Sequence, residues 1–163
     1  MSRAFVREPD GGLPPEPTGE IALPPPPNPV TARGLMLIEQ AVADRERRVL
    51  ETPGSDLVEA ERLRRELRYW HARRATAQLT SPPKTVDEVG FGSRVRVAWP
   101  GRGEVMLEIV GDDEADPATG RIGWRAPVAA GLMDSGVGDE VDVSIAGRQL
   151  RLRVLAVDNQ PDT

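Results

Sequence analysis

Cysteine is absent from this sequence and histidine occurs once, at His71. A structural zinc site needs several thiolate or imidazole ligands, so zinc fingers are excluded, and disulfide staples with them. Aromatic residues make up only 4% of the chain, too few for the row of stacked rings that holds single-stranded nucleic acid. No apolar run approaches the roughly 20 residues that cross a bilayer. The opening MSRAFVREPD lacks the apolar core of a secretory signal. The expectation is therefore a cytoplasmic protein with no membrane partner. A nucleophile–base set and a phosphate-cradling loop are missing as well, since Gly90-Phe-Gly is too short and no helix follows it. A self-sufficient enzyme with a small-molecule substrate or a cofactor of its own is not expected.

What is present is charge. Of 163 residues 29% are charged and 39% apolar, which suits one modest core plus a well-solvated element. Net charge is −5, so bare DNA or RNA is not drawn in from a distance, and contact with nucleic acid is expected to be indirect or weak. The sign is unevenly spread. Ala32 to Ser81 carries ten arginines against eight acids, whereas Pro82 to Thr163 carries nine basic residues against fourteen acids.

Three regions follow from the pattern. Residues 1–30 hold nine prolines, including Pro24–Pro27, and are expected to be an extended, polyproline-like or disordered tail. Residues 31–81 read as a helical hairpin. Thr31 is a plausible N-cap, and Leu35, Ile38, Val42, Arg45 and Val49 recur at helical spacing. Pro53 and Gly54 break the pattern, and Ser55 is placed to cap a second helix. Ala60, Leu63, Leu67, Trp70, Arg74 and Ala77 continue the second seam to about Leu79. Helices of about 20 and 24 residues make an antiparallel arm roughly 30–35 Å long. The alternative is a pair of helices lying flat on the following domain. Residues 85–158 change period. Ser93–Trp99, Glu104–Val110, Arg121–Trp124, Val141–Ile145 and Gln149–Val157 read as strands, and Pro127–Met133 as a short helix. The fold class is α+β.

The third region resembles the C-terminal domain of the GreA/GreB transcript cleavage factors. Phe91-Gly-Ser-Arg-Val, Ile109-Val-Gly-Asp-Asp-Glu-Ala-Asp116, and Ala126-Pro-Val-Ala-Ala-Gly-Leu132 followed by Val137-Gly-Asp139 carry the likeness, in order and at family-like spacing over about 70 residues. The hairpin falls where that family carries its coiled coil, and Val30-Thr-x-x-Gly34-Leu resembles its opening. The resemblance implies an FKBP-like antiparallel β domain. It also implies a partner, RNA polymerase, whose secondary channel would receive the arm. Residues 1–30 have no counterpart in the family pattern, and the arm looks shorter than usual by roughly two turns per helix, about 10 Å.

Gre factors place an Asp and a Glu at the arm tip, where they help hold a second Mg²⁺ in the polymerase site. Here the tip reads Gly54-Ser-Asp56-Leu-Val-Glu59. Carboxylates three residues apart share one helix face, as a hard cation requires. The resemblance thus nominates Asp56 and Glu59 for metal binding and transcript cleavage, with Mg²⁺ shared with the polymerase. The competing reading is that acids in a first turn merely stabilise their own helix. A binding-only regulator, like the short-armed regulators named for nucleoside diphosphate kinase, is the alternative function. Asp112, Asp113, Glu114 and Asp116 are expected as a solvated loop or a docking patch for the partner, with a Ca²⁺ or Mg²⁺ site as the alternative, and Pro127 is expected as a partner contact. The arginines from Arg62 to Arg74, Arg73 included, are split between nucleic acid or polymerase surface and pairing along the helix.

Overall fold

The computed structural model describes residues 19–160. The first part of the proline tail, residues 1–18, lies outside the described residues. The rest of that tail departs from expectation, because Asn28–Val30 is a strand, β1. Thr31 then caps helix α1, Ala32–Glu51, its hydroxyl accepting the Gly34 N–H at 2.9 Å.

After a turn at residues 52–56, helix α2 spans Leu57–Thr76. It is 20 residues long rather than 24, because Ala77–Leu79 leaves the helix as strand β2 and pairs in parallel with β1. Ala77 therefore belongs to the pair and not to the seam. The pairing joins the two ends of the hairpin. Along the seam Ile38, Val42, Ala60 and Leu63 are buried, and Leu35, Arg45, Val49, Leu67 and Trp70 are half-buried. Arg74 is exposed, and its neighbour Arg73 is buried in its place. At 1.5 Å per residue each helix is about 30 Å long.

The C-terminal domain is a five-stranded sheet: β3 (Arg94–Trp99), β4 (Gly103–Val110), β5 (Arg121–Gly123), β6 (Glu140–Ile145) and β7 (Arg148–Asp158), in the order β5-β4-β3-β7-β6. The sheet is mixed and not wholly antiparallel. β5 runs parallel to β4 because the acidic loop and a single 3₁₀ turn at Pro117–Thr119 carry the chain back before the strand begins. Alternation sets the faces. Val95 and Val97, Leu107 and Ile109, Leu152 and Val154 point inward, joined by Val128, Ala129 and Leu132 of the short helix α3, Pro127–Leu132. Between β6 and β7 the two-residue turn Ala146-Gly147 has positive φ at both positions, the geometry that matches strand twist. Extended packing of α1 and α2 is with each other and with β1 and β2, not along the five-stranded sheet. The hairpin stands out from the domain as an arm.

Candidate functional site

The tip and the base of the arm divide the charged residues between them. At the tip, the Asp56 N–H bonds the Pro53 carbonyl at 2.9 Å, which places Ser55 inside the turn. Asp56, rather than Ser55, is consequently the N-cap of α2, and its carboxylate accepts the Glu59 N–H at 3.1 Å. Glu59 is engaged too. Its carboxylate accepts from Arg62 at 2.5 and 2.7 Å, and Arg48 of α1 approaches within 3.4 Å. The hydrogen bonds from Arg62, reinforced by the charges of Arg62 and Arg48, hold the Glu59 carboxyl below the usual carboxylate range. Arg62 also bonds Glu66 at 2.6 Å, and Glu66 accepts from Arg45 across the seam at 3.0 Å.

Both tip acids thus have partners within the hairpin. Among the described residues no group of three or more candidate metal ligands assembles, at the tip or elsewhere. One carboxylate caps a helix and the other lies under two guanidiniums, so the donor set does not fit a ready-made pair of cation ligands. Beside the exposed Glu51, Ser55 and Asp56, the tip also exposes apolar side chains: Leu50 at 86%, Leu57 at 73% and Val58 at 69% of their surface.

The base uses the acidic loop. The four acids from Asp112 to Asp116 do not form one solvated patch, as the composition of the loop suggests. Asp113 turns inward, accepting from Arg73 Nε at 2.6 Å and from the Tyr69 hydroxyl at 2.9 Å. Arg73, on α2, is only 2% exposed, so it is not a surface contact for nucleic acid or polymerase; its second hand donates to Asn28 at 2.6 Å. Asn28 in turn donates to the Arg73 carbonyl at 2.9 Å. Burial and the Asp113 bond push the Tyr69 phenol up to about 12. Glu114 is also buried, accepting the Thr31 hydroxyl at 2.5 Å, with Arg33 at 3.9 Å. Asp112 lies 3.4 Å from Arg125 and 3.7 Å from Arg73. Asp116, near Arg121 at 3.6 Å, keeps about half its side chain in water, and Pro127 is exposed at the start of α3.

Two glycines allow this joint to close. A Cβ on Gly34 would meet the Glu114 carboxylate at 2.8 Å, and one on Gly111 would meet the Pro29 carbonyl at 2.7 Å.

The C-terminal domain is matched by a family model. The family model described as transcription elongation factor, GreA/GreB, C-terminal, covers residues 83–159. Over these residues the chain is similar to the C-terminal domain of the GreA/GreB family. GreA of Macrococcus caseolyticus is 39% identical over 73 residues, 44% of this chain and 46% of that protein. GreA of Nitratiruptor is 35% identical over 89 residues, 53% of this chain and 55% of its own. The matches therefore span about half the length of these GreA relatives. GreA factor homolog 1 of Thermus thermophilus, a solved structure, aligns over 80% of this chain and 97% of its own, at 18% identity and a TM-score of 0.39. A GreA/GreB factor from Nitrosomonas europaea gives 24% identity over 80% of this chain and 98% of its own, with a TM-score of 0.38. The arm residues rest on the geometry alone.

The sequence pointed to the tip and overlooked the base. Asn28, Tyr69 and Arg73 were not distinguishable as a joint, because their partners lie 40 or more residues away.

Proposed function

We propose that this chain is an RNA polymerase-binding transcription factor of the Gre kind, acting in the cytoplasm, whose short arm enters the secondary channel and modulates the enzyme without adding a metal-binding pair. The Gre-type C-terminal domain supports the choice of partner. The arm supports the mode of action: two helices of about 30 Å, laced by Arg45–Glu66 and Arg48–Glu59, fixed at their base and clear of the five-stranded sheet along their length.

One observation favours modulation over cleavage. Asp56 and Glu59, the acids that a cleavage factor would turn toward Mg²⁺, are bonded inside the hairpin. Freeing them would break a helix cap and two ion pairs before any metal was held. The protein is accordingly read as a regulator of another enzyme's site, not as an enzyme itself, and its contact with nucleic acid as indirect.

The test uses backtracked elongation complexes halted in Mg²⁺. Adding the chain is expected to change pausing or escape with no shortened transcripts. Transcript shortening that disappears with Asp56→Ala or Glu59→Ala would instead assign cleavage.

A further inference from the structure

The proline-bearing segment ahead of β1 is fastened along the arm. The carbonyls of Gly19, Pro25 and Pro27, and its one acid, Glu20, each meet an arginine. Arg125 of the sheet domain donates from one nitrogen to the carbonyls of Pro25 and Pro27, the latter at 2.8 Å. That guanidinium is itself held in place, stacked 4.3 Å over the Trp124 ring and close to Asp112. Further along, Glu20 pairs with Arg68 of α2 at 2.8 Å, and Arg65 donates to the Gly19 carbonyl at 3.4 Å. The segment therefore starts at the domain and climbs α2 from its base. Arg73 marks the joint, and Arg65 lies eight residues toward the tip, about 12 Å of the helix's roughly 30 Å.

Composition explains why this stretch can lie there. Proline has no N–H to satisfy and its φ is fixed, so a proline run is extended before it binds and loses little freedom on docking. Its carbonyls remain open acceptors, and guanidinium groups are the donors offered. Arg65, Arg68 and Arg125 come from two different parts of the chain, and they converge on one nine-residue segment.

We propose that Gly19–Pro27 is an intramolecular brace, clamped to the domain by Arg125 and to the arm by Arg65 and Arg68. It sheathes the lower part of α2 and holds the arm against swinging about its base. A partner then meets the bare upper arm, or must displace the brace to engage the lower part. The brace is a property of the free chain, so it stands or falls separately from the polymerase reading.

The absence of cysteine makes the test direct. Spin labels are attached to Ala22→Cys and Ala75→Cys in the full chain, and the distance distribution is measured by pulsed electron resonance. A single narrow distance is expected. Adding Glu20→Arg and Arg125→Ala should abolish the narrow peak, because the first repels Arg68 and the second removes the clamp on the proline carbonyls. Glu20→Arg alone is made in parallel, since it touches neither core and should already weaken the peak. A broad distribution in the parent, or a narrow one that survives both substitutions, would overturn the brace.

Discussion

Arg73 and Asp113 meet across the joint between arm and domain, guanidinium Nε to carboxylate oxygen at 2.6 Å, with side chains 2% and 7% exposed. The geometry is one of mutual dependence. Asn28, Tyr69 and Asp112 complete the shell, so neither charge is left alone in a region with little water. A buried pair of this kind contributes little over an apolar substitute, but removing one partner strands the other.

Arg73→Ala is therefore expected to destabilise the chain by about 3–5 kcal/mol. Urea unfolding followed by helix circular dichroism measures it. Arg73→Lys should recover only part, because a lysine cannot serve Asp113 and Asn28 with one planar fork.

Tyr69 is the chain's one tyrosine, so its titration can be read directly from ultraviolet absorbance. Burial, then the Asp113 hydrogen bond, raise it to about 12 in the folded chain. In the unfolded chain the phenol ionises near its ordinary value of about 10. The folded state keeps its proton where the unfolded state has lost it. Stability contributed by the neutral phenol is thus fully present below pH about 10 and is lost as pH climbs toward about 12. A native phenol that titrated at its ordinary value would contradict the buried joint.

Gly111→Ala puts a methyl group 2.7 Å from the Pro29 carbonyl, which is backbone and cannot swing aside. The expected cost is about 1–3 kcal/mol. Thermal melts would show it, and an unchanged melting temperature would mean that β1 does not sit against the loop.

At the tip, Asp56→Ala removes the side-chain cap of α2 and should cost about 1 kcal/mol. Asp56→Asn should restore most of this, because an amide oxygen caps as well as a carboxylate does. A metal ligand would not be rescued in that way.

Much of this architecture could be read in advance, and the reason lies in period. Ile38, Val42, Ala60 and Leu63 fall on helical stripes, and Val95, Val97, Leu152 and Val154 alternate. Such local rhythm survives in the sequence because a helix seam and a sheet face repeat every few residues. The joint has no rhythm. Arg73 sits in an arginine-rich helix and differs from its neighbours only by what faces it from 40 residues away. The same holds for Glu114, whose partner Thr31 lies 83 residues off. The parallel pair β1–β2 was hidden by proline on one side and by a continuing helical pattern on the other.

The proposed entry of the arm tip into the secondary channel of RNA polymerase is open to a direct test. Ser55→Cys provides a unique attachment point in a chain without cysteine, and an iron chelate placed there cleaves whatever backbone lies beside it. Cuts confined to polymerase segments lining that channel are predicted. Cuts scattered over the outer surface of the enzyme, or none at saturating protein, would contradict it.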